Sequence, residues 1–241
     1  MPQLVLALAL IAGLTIVPLA AVGAESTAEL EHVEMDLEDK ASLQSGARTF
    51  VNYCLGCHSA GYSRYQRVAQ DLGIPEELMM ENLVLDDTAE IGDLMVSAMP
   101  VEDSNNWFGV APPDLTLVSR VRGTDWLYGY LKGFYTDLTR PFGANNRVFA
   151  NVGMPNVLHE LQGDQVCDDE ACTLLTHVEG TGALSPEEFD VVVYDLVNFL
   201  YYLGEPARLE RERIGGFVLL FLAFLFVFAY MLNREYWKDV H

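Results

Sequence analysis

Cys54-Leu55-Gly56-Cys57-His58 decides how the rest of this chain is read. Two thiols three positions apart can each add across one vinyl group of a haem, and the adjacent His58 reaches the iron from the same turn. This is the C-x-x-C-H attachment motif of c-type haem. A thioredoxin-type redox pair or half of a zinc site are the competing readings of a C-x-x-C. The zinc reading needs a second ligand pair, and Cys167 and Cys172 in an acidic loop are poorly spaced for one. The redox-pair reading wants a preceding buried strand, whereas Leu43, Gly46, Phe50, Val51 and Cys54 fit one face of a helix over Ser42–Tyr53. Gly46 weakens such a helix, which makes sense if another helix crosses closely there.

The chain has 241 residues, 35 acidic against 14 basic side chains and a net charge of −21. That charge argues against nucleic-acid binding, because a phosphate backbone would be repelled. It suits a basic protein partner, or serves solubility alone. Apolar stretches close both ends. Leu4–Val22, followed by the small residues Gly23-Ala24, reads as a secretory signal over 1–24, with a retained anchor as the alternative. Ile214–Leu232 is uncharged and long enough to span a bilayer. Arg208, Arg211 and Arg213 precede it, and Arg234 and Lys238 follow, a count that slightly favours the wrong end as cytoplasmic. Covalent haem attachment on the outer side of the membrane overrides the count. The expected layout is an outer, periplasmic haem domain over 25–205, a charged linker over 206–213, the span at 214–232 and a cytoplasmic tail over 233–241.

Within the domain, residues 25–39 carry seven acids and no Lys or Arg, and are expected to wrap the surface or stay mobile. A helical patch covers Pro75 to Leu83, and Ala111-Pro112-Pro113-Asp114 is a stiff turn. Asp125 to Phe134 reads as an aromatic helix whose stripe of Trp126, Tyr130 and Phe134 is core packing. Residues 136–184 are loop-rich. Ser185-Pro186-Glu187-Glu188 combines a capping serine, proline at the first helical position and a capping-box glutamate. The helix it starts runs through Val192, Leu196, Phe199 and Leu200 to a break at Gly204-Glu205-Pro206. No internal repeat and no strand pattern of any length is visible.

An electron-transferring haem needs a sixth ligand, and methionine raises its potential. Met79, Met80, Met95, Met99, Met154 and His159 are the candidates. Met79 and Met80 lie on a helix and suit gap-filling in the core. Met99-Pro100 and Met154-Pro155 both precede a proline. Met154 is favoured over Met99 because its Gly/Asn/Pro loop is free to close over a haem face. A five-coordinate iron would instead mean a haem sensor or peroxidase.

These residues together resemble the cytochrome c1 family, the haem c subunit of the ubiquinol–cytochrome c oxidoreductase (bc1 complex). The resemblance rests on Cys54–Ser59, on Ala111-Pro112-Pro113-Asp114-Leu115 with Arg120 beyond it, on Gly153-Met154-Pro155-Asn156-Val157-Leu158, and on Tyr202-Leu203-Gly204-Glu205-Pro206 leading into one terminal span. Gly46, Phe50, Leu196 and Phe199 resemble the helix-crossing positions of the class I cytochrome c fold. The resemblance implies a mainly α, class I cytochrome c-like haem domain with loop insertions and one C-terminal transmembrane helix. It implies one covalent haem c held by Cys54 and Cys57, with His58 and Met154 as axial ligands. It also implies a carbonyl of the Pro112-Pro113 turn on the other His58 ring nitrogen, and Arg120 on a propionate. Implied partners are cytochrome b, the Rieske iron–sulfur protein as donor, a soluble or tethered cytochrome c as acceptor, and the lipid bilayer of a bacterial inner membrane. A haem subunit of a terminal oxidase, or a tethered shuttle, would share the same chemistry. Cys167 and Cys172 belong to no pattern of the family. In an oxidising compartment they are expected to form a disulfide.

Overall fold

A computed structural model describes residues 30–169, 172 and 174–239. The elements in chain order are α1 (Lys40–Tyr53), β1 (Ala60–Arg64), α2 (Tyr65–Leu72), α3 (Glu76–Leu83), β2 (Leu94–Met95), α4 (Val101–Phe108), α5 (Val118–Arg122), α6 (Thr124–Lys132), β3 (Phe134–Thr136), β4 (Ala144–Asn146), α7 (His159–Gln162), β5 (Gln165–Cys167), β6 (Leu175–His177), α8 (Pro186–Gly204) and α9 (Arg208–Tyr236). The expected 1–24 signal lies outside the described residues.

The core is organised by the crossing of α1 and α8. The Asp39 side chain caps α1 by accepting from the Ser42 amide, which satisfies one of the free N–H groups at a helix start. On α8, Ser185 and Glu188 close the capping box reciprocally, at 3.2 and 2.9 Å. Where the helices cross, Gly46 leaves no room for a side chain. A Cβ there would run into the Asp195 carbonyl and lie 2.7 Å from Phe199 Cβ. Phe50 and Phe199 fill the space on either side, with ring centroids 5.6 Å apart, and both are fully buried. Truncating either ring would cost about 3–5 kcal/mol. Leu43, Leu196, Val193 and Val197 complete this seam, and α6 packs onto the same helix.

Residues 30–37 wrap α6 and α8 as a strap, although they are acid-rich. Leu37 is buried, and Val33 and Met35 pack on the core. The polar backbone is tied down: Asn198 Nδ2 donates to the Asp36 carbonyl (2.7 Å), Tyr194 Oη to the Glu34 carbonyl (3.1 Å), and the Val33 amide to Asp125 (3.0 Å).

The structure corrects two sequence expectations. Strands exist, as three two-stranded antiparallel ribbons: β1 with β2, β3 with β4, and β5 with β6. Each strand has five residues or fewer, too few for an alternating pattern to stand out from loop sequence. The aromatic helix ends at Lys132, because the Gly133 amide turns back to the Tyr130 carbonyl. Phe134 therefore sits on β3, with its ring still edge-on to Tyr130 at 5.3 Å. The charged stretch at 206–213 is helical from Arg208 and runs without a break into the apolar residues as α9. Among the described residues, α9 is the one helix long and apolar enough to cross a membrane, and none of it is buried in the domain. Its length and composition fit a membrane anchor.

Candidate haem site

The cysteine–histidine turn is a direct continuation of α1. The Cys54 and Leu55 amides both donate to the Phe50 carbonyl (2.8 and 2.9 Å). The Cys57 and His58 amides both donate to the Cys54 carbonyl (3.0 and 2.8 Å). This winding brings both thiols and the imidazole onto one compact turn. Cys54 is buried, Cys57 half-buried, and both are free thiols. Burial, with the neighbouring Cys57, pushes the Cys54 thiol up to about 12. A reactive redox pair needs the opposite, a thiol lowered toward neutrality. The remaining cysteines, Cys167 and Cys172, are joined to each other in a disulfide that closes the β5–β6 hairpin. That leaves them no thiolates to complete a zinc site.

His58 is oriented by the proline turn. Its Nδ1 lies 2.7 Å from the Pro113 carbonyl oxygen. A carbonyl can only accept, so Nδ1 carries the proton and Nε2 keeps a bare lone pair. Burial lowers the His58 pKa against the opposing pull of the Pro113 carbonyl and Asp114, which favours the neutral form that binds metal. The turn is locked to the cysteine segment. Asp114 accepts from the Gly61 and Thr116 amides (2.7 and 2.8 Å), and the Leu115 amide donates to the Ser59 carbonyl (2.8 Å). Pro112, half-buried, stiffens its approach.

The structure separates the candidate sixth ligands. Met79 and Met95 are fully buried in the apolar core, and Met80 packs against it. His159 is exposed and engaged with Asp164 at 3.0 Å. Met99 is drawn to the cysteine turn, since its amide donates to Ser97 Oγ (3.1 Å), which itself donates to the Gly56 carbonyl (2.8 Å). Met154 stands on a separate loop, half-buried, with its sulfur accepting from Tyr130 Oη at 3.4 Å. Burial holds the Tyr130 phenol above its ordinary range, so it keeps the proton it donates.

The Met154 loop is built by asparagines to which the sequence reading assigned no role. Asn146 Nδ2 donates to the Tyr130 carbonyl (2.7 Å), while its Oδ1 accepts from the Val148 and Phe149 amides (2.9 and 3.0 Å). Asn145 Oδ1 accepts from the Asn151 amide (2.8 Å), and Asn151 takes a left-handed backbone at φ 61°. Asparagine tolerates that region better than most residues. Beyond the methionine, Asn156 bonds Gln162 and caps Leu158 (2.8 and 3.2 Å).

Arg120 is exposed, with its stem beside the position a Gly204 side chain would take. Two residues on, the Arg122 guanidinium lies 5.0 Å from the Trp126 ring centroid. Trp126 in turn stacks on Tyr130 at 4.8 Å. Of the two arginines, Arg122 is therefore the one linked to the Met154 side. The donor set fits a covalently attached haem: two free thiols on one turn and an imidazole whose free nitrogen is fixed by a carbonyl, with a thioether available on a separate loop.

Comparisons with known proteins give the family. The cytochrome c1 family model matches residues 32–240. A cytochrome c1 from Allochromatium vinosum is 52% identical over 240 residues, covering 95% of this chain and 96% of that protein. The ammonia monooxygenase gamma subunit of Nitrosomonas europaea is 42% identical over 232 residues, covering 96% and 97%. A cytochrome c1 from Rhodospirillum rubrum is 26% identical over 235 residues, covering 84% and 83%. A family match over most of the chain, joined to the attachment turn and the apolar C-terminal helix, makes this protein a member of the cytochrome c1 family, a membrane-anchored haem c electron-transfer subunit of the bc1 complex.

Proposed function

We propose that the domain takes electrons from the Rieske iron–sulfur protein and passes them to a basic cytochrome c, and that His58 and Met154 would hold the haem iron. The observation that carries the His58 assignment is the His58 Nδ1–Pro113 carbonyl contact of 2.7 Å, which leaves Nε2 as a donor of fixed direction. The bound haem c supplies the one-electron couple. Cys54 and Cys57 would hold it by thioethers, so that its position would not depend on the iron ligands. Met154, held by its loop, would supply a thioether that keeps the potential high. Arg120 or Arg122 offers a guanidinium to a propionate. The protein breaks and makes no substrate bonds itself.

The haem domain stands on the periplasmic side of a bacterial inner membrane, with the tail after α9 in the cytoplasm. The acidic balance of the chain supports steering of a basic acceptor. Native purification with mass identification of the bound subunits tests the assembly. Copurifying cytochrome b and Rieske protein support it, whereas recovery with terminal-oxidase subunits alone rejects it. The similarity to an ammonia monooxygenase gamma subunit favours a second reading, association with a membrane oxygenase. The same purification separates the two, since the partners would then be monooxygenase subunits.

A further inference from the structure

The geometry points to Tyr130 as a residue that sets the redox potential of the site by donating a hydrogen bond to the Met154 sulfur. The inference deepens the proposed function and rests on Met154 being an axial ligand. Three observations carry it. The Tyr130 hydroxyl lies 3.4 Å from Met154 Sδ. No other hydrogen bond of that hydroxyl is recorded among the described residues, so its proton is directed at the sulfur. The ring is held from several directions: Trp126 stacks on it at 4.8 Å, Phe134 meets it edge-on at 5.3 Å, and Asn146 fixes its backbone carbonyl at 2.7 Å. The hydroxyl is thus aimed by its surroundings, twenty-four positions away in sequence from the sulfur it meets.

A thioether sulfur has two lone pairs. When one is given to iron, the other can accept this proton. The hydrogen bond draws density from the sulfur and makes it a poorer donor. Ferric iron, the more highly charged form, depends more on that donation than ferrous iron does. The bond therefore favours the reduced state and raises the potential, the lever that hydrogen bonding around a ligand provides. A merely positional role predicts something else: without the hydroxyl, Met154 would loosen and be displaced.

Tyr130→Phe keeps the ring and its stacking, so the full-length, haem-loaded protein should fold. Tyr128→Phe is the control. Tyr128 is also buried on α6, but its hydroxyl accepts from Lys132 Nζ at 3.3 Å. Redox titration of Tyr130→Phe should give a lower midpoint potential, and Tyr128→Phe should leave it unchanged. The thioether-to-iron charge-transfer band should persist in both, and added imidazole should displace Met154 no more readily than in the unmodified protein. An unchanged potential in Tyr130→Phe, an equal fall in Tyr128→Phe, or loss of the band in Tyr130→Phe would each overturn the inference. Met154→Ala tells the two levels apart. If the band survives that change, the ligand assignment itself is wrong. If the band is lost but Tyr130→Phe titrates like the parent, the ligand stands and only the hydrogen bond has no electronic role.

Discussion

The two sides of the candidate haem site are made in opposite ways. The cysteine–histidine turn is local: every hydrogen bond that winds it joins residues within five positions, and it starts from the last turn of α1. The Met154 loop is assembled from a distance. Its order depends on Tyr130 from α6, Asn145 and Asn146 from β4, and the backbone turn at Asn151. A local motif tolerates change elsewhere in the fold, whereas a loop of this kind transmits it. The attachment side should therefore be robust, and the methionine side should be where the potential is tuned and lost.

The strongest way to break that contrast is Met154→Ala. The haem should remain covalently attached, while the midpoint potential falls by a substantial part of the roughly 0.8 V range that axial ligation spans. Carbon monoxide should then bind the ferrous protein readily. A denaturing gel stained for haem and a redox titration read the two sides separately. An Asn146→Ala change should come next. It removes three hydrogen bonds at a buried position, leaves the Val148 and Phe149 amides without that acceptor, and should cost about 3 kcal/mol. Thermal unfolding should shift downward and the methionine-ligated spectrum should weaken, with the thioether attachment intact.

Replacing Cys167 and Cys172 with serine should have a smaller effect. The closed loop is short, so the chain-entropy contribution is only about 2 kcal/mol. The change should loosen the β5–β6 hairpin, with at most a small shift in potential, detectable as faster amide exchange over 165–177. The smallest effect on the site itself should come from salt. Electron delivery to a basic cytochrome c should slow as ionic strength rises, because screening over about 8–10 Å weakens steering by the acidic domain. The midpoint potential should move little. Stopped-flow rates insensitive to salt would assign the net charge to solubility.

The same contrast explains what could be read from the sequence. The attachment turn, the capping box at Ser185 and the apolar span are legible because each is a pattern of neighbouring residues. The close crossing at Gly46 was inferable because a glycine in an otherwise helical face asks for a reason. Tyr130 looked like one member of an aromatic core stripe, and nothing along the chain reveals that its hydroxyl meets a residue twenty-four positions on. Asn145 and Asn146 read as loop composition for the same reason: side-chain bonds to backbone amides leave no periodic trace. The strap at 30–37 was obscured by its acids, although Val33, Met35 and Leu37 alternate with polar neighbours in the way its burial pattern requires.

The unbroken helix from Arg208 to Tyr236 has a consequence beyond anchoring. From Arg208 to Ile214 the rise is about 9 Å, and this segment is braced at its base by the ion pair of Arg211 with Glu205 and by Arg208, which pairs with Glu212 at 2.8 Å and lies over the Tyr201 ring at 5.3 Å. A stiff mast of this kind fixes the haem domain in height and in compass bearing together. Each residue added or removed between the domain and the bilayer would turn the domain by about 100° while raising or lowering it by only about 1.5 Å. The length of this short segment is therefore a setting of angle before it is one of distance.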